Sequence, residues 1–454
     1  MARPPSDPPE DPRPAVLDDS RARGTWIDSE RLLARSLGRA VRQFIQLEAA
    51  GGIALLAATV AALVWANSPW SDGYHTLWST PVIVEAGPLH FDESLRAVVN
   101  DALMTLFFFV VGLEIKRELV AGELRDPRSV GLPVLAALGG MVVPAAIYGA
   151  LNAGGPGSAG WGVPMATDIA FALGIVALLG DRVPAPLKVF LLTLAIVDDI
   201  GAILVIAAFY SAGLSWPWLG AAAGGLAAVA GLRRLRVWYV PVYAVIGAAV
   251  WFATHESGIH ATIAGVALGL LTPARPLQPQ GAGQEVARVV GSRPTAAEAK
   301  AAGFVVKEEV PVTERLENAL HPWTSFVVVP LFALANAGVT VSAGAVGDTL
   351  TSAVGGGIIL GLVIGKLVGV AAASWIAVRL GLGRLPAGVS WLDVLAVAAL
   401  AGIGFTVSLF IAGLAFDDPA RRETATLAIL IASAGAAFLG AAISTAVTRR
   451  TATS

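Results

Sequence analysis

Over most of its length this chain gathers its apolar residues into long blocks separated by short polar stretches. The blocks lie near 49–67, 98–120, 130–150, 162–180, 187–210, 217–232, 238–254, 258–272, 322–340, 353–378, 391–412 and 424–446. A run of about 20 apolar residues matches the hydrocarbon thickness of a bilayer. The pattern therefore predicts an all-α integral membrane protein with twelve transmembrane helices. Residues 1–25 are rich in Pro, Asp and Arg and contain no apolar run, so they read as a disordered cytoplasmic tail and not as a signal peptide. Residues 26–48 place Leu33, Leu37, Val41 and Phe44 at helical spacing between Arg31, Arg35, Arg39 and Arg42. That spacing suggests an amphipathic helix lying on the membrane face; an ordinary solvated helical linker is the alternative. After the first block, Thr80 to Glu85 and Leu89 to Phe91 flank Ala86-Gly87-Pro88. This predicts a small β-hairpin over 80–91, outside the membrane.

The basic residues test the count of spans. With a cytoplasmic N-terminus and twelve spans, 27 of the 31 lysines and arginines fall on the cytoplasmic side. Arg96, Arg421 and Arg422 fall opposite, and Lys366 falls within a span. This asymmetry supports an even number of spans with both termini cytoplasmic. The chain then divides into a first membrane part (49–272), a polar cytoplasmic loop (273–318), a second membrane part (319–448) and a short C-terminus (449–454). The loop is long and poor in aromatics, and little regular structure is expected in most of it.

Composition agrees with a membrane chain. Charged residues make up 14%, against about a quarter in soluble domains. The fifty glycines suit packed membrane helices, whose backbones approach closely at small residues. The absence of cysteine excludes disulfides and thiolate metal sites. No Walker A run, nucleophile elbow or HExxH occurs. Neither an ATP-driven motor nor an enzyme is expected, no cofactor or nucleic-acid partner is implied, and any uphill transport must draw on an ion gradient.

An ionisable residue at mid-membrane costs at least about 2.5–3.5 kcal/mol on insertion scales. Four such residues stand out. Asp198 and Asp199 interrupt the apolar run from Leu191 to Ile206, Asp168 follows Thr167 just past Pro164, and Lys366 lies in Leu360 to Val370. Adjacent helical residues point about 100° apart, so one aspartate can face a cavity while the other faces a neighbouring helix. Two close carboxylates in a low dielectric resist ionising together. One can therefore hold a proton near neutral pH and, once deprotonated, bind a small hard cation. Competition between sodium and protons for the same oxygens at an alternately exposed site is sufficient for antiport. The structural alternative is an ion-pair network that only fixes helix packing, but Lys366 is the sole base inside the predicted spans. Lys366 can neutralise Asp198 or a helix end, or carry a proton itself.

The span 162–180 begins with Gly162 and Pro164, and the span 391–412 carries a second interruption from Gly402 to Ser408 that includes Gly404 and Thr406. Two interrupted spans in different halves are the expected sign of crossing, discontinuous helices at a transport site, a generalisation drawn in part from the family resembled below. Asp168 would balance half-helix N-termini there, and Thr167 would bond to local backbone. Glu114, Lys116, Arg117 and Glu118 end the second span. They read either as a snorkelling interfacial cluster or as a pH-sensing charge network to which Glu317 belongs. His260, near an outer surface, is a further candidate for pH response or an incidental surface residue. Asp101 and Asn336 read as packing or capping residues.

With these residues placed, the sequence resembles the NhaA family of bacterial sodium/proton antiporters. The matching segments include Asn100-Asp101-Ala102-Leu103-Met104, Gly112 to Leu119, Ala166 to Gly174, Leu194 to Ile203 and Ser257 to Gly265. They continue through Arg315 to Trp323, Pro330 to Val339, Ile364-Gly365-Lys366 and Gly402 to Ala412, in family order over about residues 40–448. The resemblance implies twelve helices with inverted-topology repeats and two crossing discontinuous helices. It implies that Asp198 and Asp199 bind sodium or lithium and carry protons, that Lys366 pairs with the first aspartate, and that Asp168 balances the crossing. It further implies electrogenic exchange, alkaline activation through positions including Glu114, Glu118 and Glu317, and a homodimer formed partly through the 80–91 hairpin. A passive cation channel and a sodium-coupled symporter are the rival readings. The N-terminal extension and the enlarged 273–318 loop depart from the family pattern.

Overall fold

In a computed structural model of the chain, the described residues are 50–453 apart from 87–88, 126, 181–182, 212, 236, 238, 280, 290–294 and 387. The expectations for residues 1–25 and 26–48 lie outside them. The described chain is mostly helical, with one two-stranded sheet. Helix α1 (Ala50–Ala66) turns through 113° into the short α2 (Ser71–Ser79). Strand β1 (Pro81–Ala86) pairs antiparallel with β2 (Leu89–Ser94), with Pro81 opposite Ser94. The hairpin thus reaches Ser94, and Leu95 N donates to Thr80 O at 2.9 Å to close its base.

The long helices follow: α3 (Leu95–Ala121) and α4 (Pro127–Asn152), then a 3-10 turn (Ser158–Met165) leading to α5 (Ile169–Leu179), and then α6 (Ala185–Phe209). Next come α7 (Trp216–Arg234), α8 (Val240–Glu256) and the ten-residue α9 (Thr262–Leu271). Two helices of the polar connection, α10 (Ala282–Val289) and α11 (Ala296–Glu308), precede α12 (Val312–Asn336). The chain ends with α13 (Ala343–Thr351), α14 (Ala353–Arg379), α15 (Trp391–Leu400), α16 (Phe405–Ala415) and α17 (Pro419–Thr453). Among the described residues, seven helices are long and apolar enough to cross a membrane. The number is up to nine if each of two bent pairs, α1 with α2 and α15 with α16, is one span.

Glycine sets the closest approaches, as it does in packed membrane helices. A Cβ added at Gly369 of α14 would stand 2.8 Å from the carbonyl carbon of Gly139 on α4. One added at Gly269 of α9 would stand 2.6 Å from Phe109 O on α3. These two contacts bring α14 and α9 backbone-to-backbone against their neighbours.

The 273–318 connection corrects the expectation of little regular structure. It contains α10, α11 and the first turns of α12. A capping box starts α11: Thr295 Oγ1 accepts from Glu298 N at 3.3 Å, and Glu298 Oε2 accepts from Thr295 N at 2.8 Å. These bonds to Thr295 hold the Glu298 carboxyl below its ordinary value. The other end is tied by Arg315, whose Nη1 and Nη2 donate to Glu308 Oε1 and Oε2 at 2.8 and 3.1 Å. Leu277 N and Gln278 N both donate to Glu308 O, at 3.0 and 3.1 Å. Polar composition concealed local capping and pairing.

Candidate cation site at the helix crossing

Two breaks in helical structure face one another. In the first, Pro164 brings no amide hydrogen, and the chain runs extended from Ala166 to Asp168. Asp168 then caps α5, its Oδ1 accepting from Phe171 N at 2.9 Å. In the second, α15 ends at Leu400 and α16 starts at Phe405 after a 46° bend. Asp168 bridges the two. Its N donates to Ile403 O at 2.6 Å, and its Oδ2 accepts from Thr406 N at 2.9 Å and Thr406 Oγ1 at 2.6 Å. One carboxylate thus occupies the N-termini of both α5 and α16, where orphan amides carry partial positive charge. Gly404 permits this closeness, because an added Cβ there would lie 3.1 Å from Ala166 O.

The aspartate pair sits beside this crossing on α6, and Lys366 faces it from α14. Lys366 Nζ pairs with Asp198 Oδ2, and both side chains are fully buried. Thr167 Oγ1 donates to Asp198 Oδ2 at 2.5 Å, shares its hydrogen with Ala401 O at 2.8 Å and accepts from Lys366 Nζ at 3.0 Å. This replaces the expected local backbone role of Thr167; the extended backbone at 166–168 turns its hydroxyl to the neighbouring helices. Asp198 Oδ1 is buried and has no hydrogen-bond partner among the described residues. Asp199, 4% exposed, makes no hydrogen bond or ion pair among them. Lys366 follows a π-helical turn, Gly361–Gly365, a feature frequent at functional sites. A Cβ at Gly361 would stand 2.7 Å from Pro164 Cβ, so this turn lies directly against the first break.

The other sequence candidates fall into two separate places. Arg117 Nη1 pairs with Glu317 Oε1 at 2.5 Å and Nη2 with Glu118 Oε1 at 3.4 Å, and Glu114 lies one turn away on α3. His260 is elsewhere, with Nδ1 3.2 Å from Thr262 Oγ1 and Nε2 3.7 Å from Asp101 Oδ1. His255 Nδ1 approaches the other oxygen of Asp101 at 3.9 Å. Asn336 Nδ2 donates to Asn100 Oδ1 at 2.7 Å, in a reciprocal amide pair joining α12 to α3. Sequence reasoning passed over Tyr148 and Tyr210, whose hydroxyls reach the 3-10 turn; nothing in their spacing marks them.

The family model described as Na+/H+ antiporter 1 matches residues 42–443. The chain belongs to this antiporter family. Curated relatives agree over nearly their whole length. Na(+)/H(+) antiporter NhaA 3 of Frankia alni is 48% identical over 406 residues, covering 89% of this chain and 88% of the relative. Na(+)/H(+) antiporter NhaA 2 of Sorangium cellulosum is 47% identical over 447 residues, 94% and 93% of the two chains. Na(+)/H(+) antiporter NhaA of Oleidesulfovibrio alaskensis is 50% identical over 415 residues, 88% and 92%. With its apolar helices, this member of the family is a multi-pass bacterial membrane protein.

Proposed function

We propose that the chain is a secondary active, electrogenic antiporter that extrudes sodium or lithium in exchange for protons and so regulates intracellular sodium and pH. The observation that carries this is the inequality of two adjacent buried aspartates. Asp198 has Lys366 and Thr167 on one oxygen, while Asp199, 4% exposed, makes no hydrogen bond or ion pair among the described residues. A carboxylate with little access to water and no protein partner takes a proton or takes a cation, and hard cations prefer oxygen ligands. Proton loss on the cytoplasmic side frees Asp198 and Asp199 for sodium. Sodium binding permits the change in access, and release outside is followed by reprotonation. More protons enter than sodium ions leave.

The same reading places twelve spans. The seven long helices are joined by α1, by the α15–α16 pair taken together, and by the shorter α7, α8 and α9. The segments 130–209 and 353–447 each run as a continuous, a broken and a continuous span, which supports inverted-topology repeats. Both termini are then cytoplasmic, the 80–91 hairpin lies outside and joins a homodimer, and Glu114, Glu118 and Glu317 set the pH response, with His260 as a second candidate.

The test is proton flux in everted vesicles from cells lacking their own sodium antiporters. A respiration-driven pH gradient should collapse on adding sodium or lithium, should survive potassium, and should survive sodium in Asp199→Asn. A channel would pass sodium without opposing proton flow, and a symporter would need added solute; either result would displace the antiport reading.

A further inference from the structure

The 3-10 turn Ser158–Met165 is a poor element to place beside an ion site. Its eight residues include Gly160, Gly162 and Pro164, and 3-10 runs longer than three or four residues are uncommon because their hydrogen bonds are strained. Yet its end fixes where Thr167 and Asp168 stand. Neighbouring helices hold the turn from outside. Tyr210, the residue that ends α6, donates its hydroxyl to Ala159 O at 2.7 Å and accepts from Gly162 N at 3.2 Å. Tyr148 of α4, fully buried, donates to Gly157 O at 2.7 Å. Trp161 of the turn meets Phe209 of α6 edge to face, ring centroids 5.0 Å apart. Glycine at 162 permits the approach, since an added Cβ would lie 2.7 Å from the Tyr210 hydroxyl oxygen.

The two tyrosines come from different helices. Tyr210 ends the helix that carries Asp198 and Asp199. Tyr148 belongs to α4, which packs on the helix of Lys366, and Asn152 Nδ2 ties its carbonyl region to Ala353 O at the start of α14 (2.9 Å). The hydroxyls therefore register the turn against both sources of charge. We propose that Tyr148 and Tyr210 are positioning residues for cation binding, holding the 3-10 turn where Thr167 meets Asp198 and Lys366. This rests on the antiport reading above. A turn released from its hydroxyl bonds spends less time in the binding-competent geometry. Apparent affinity falls by that fraction, while saturating sodium restores the maximal rate.

The experiment uses the full chain in proteoliposomes, measuring sodium KM and maximal exchange rate for Tyr148→Phe, Tyr210→Phe and the double variant. Phenylalanine fills the same space, and one hydrogen bond contributes about 0.5–1.5 kcal/mol, so each KM should rise roughly 2- to 12-fold with the maximal rate within about twofold. Tyr243→Phe is the control: it removes a hydroxyl bond to Val237 O of 2.8 Å, away from the crossing, and should leave KM unchanged. Sodium-dependent shifts in melting temperature give the same affinities without flux. Wild-type KM in both crossing variants, or lowered stability and rate at unchanged KM, would overturn the proposal. A wild-type protein that exchanges no sodium would instead overturn the antiport reading, and the proposal with it.

Discussion

The aspartate centre and the Arg117 cluster both set carboxylates against one base, and they differ in what is left over. At the crossing, one fully buried lysine faces Asp198 and Asp199, and among the described residues only one of the four carboxylate oxygens has protein partners. In the cluster, Arg117 is 35% exposed and contacts both Glu118 and Glu317, so the base reaches the surface, although Glu317 Oε2 is buried without a hydrogen-bond partner among the described residues. A buried charge without a partner must neutralise or bind something. The first arrangement, with its base sealed from water, suits the exchange proposed above; in the second the base keeps one side at the surface and spans two carboxylates.

Four substitutions probe that contrast. Asp199→Asn is expected to act most strongly, because it removes the carboxylate left without a partner. Charged hydrogen bonds contribute about 1.5–3 kcal/mol each, so sodium-driven exchange should fall on the order of 100-fold while the protein still inserts. Lys366→Met leaves Asp198 buried alone and should cost about 3–5 kcal/mol of stability, read as thermal unfolding in detergent. Adding Asp198→Asn to it should recover most of that loss, and a single variant as stable as wild type would contradict the buried pairing. Thr167→Val should raise sodium KM about tenfold by deleting a hydrogen bond to a charged group, and Thr167→Ser should restore it. Glu317→Gln should have the smallest effect. Sodium KM at fixed pH should stay near the wild-type value, while the pH of half-maximal exchange moves.

The parts of the centre legible in sequence were those that violate membrane cost. Asp198, Asp199, Asp168 and Lys366 stand out because charge inside an apolar block is expensive, and the two breaks stand out through Gly and Pro. Their pairing was less accessible. Thr167 and Asp198 are 31 positions apart and Lys366 and Asp198 168 apart, so no local pattern joins them, and spacing alone leaves Thr167 bonding to its own backbone. Tyr148 and Tyr210 look like ordinary aromatic bulk until the 3-10 turn is seen. The connection 273–318 differs from expectation for another reason. Its polar composition suggests disorder, although Thr295-Ala296-Ala297-Glu298 is a helix-start signal readable from sequence. The number of spans was suggested by apolar blocks, but α9 has only ten residues, and hydropathy alone does not distinguish such a helix from a buried one.

The π-helical turn at Gly361–Gly365 takes up one residue of chain length immediately before Lys366. Such a turn accommodates one residue more than a regular α turn. Deleting a single residue there would convert it to a regular α turn with the side chains beyond it still in register, whereas a deletion within regular helix swings every later side chain by about 100°. The ammonium group would stay beside the aspartates, and what would be lost is the widened turn that packs against Pro164.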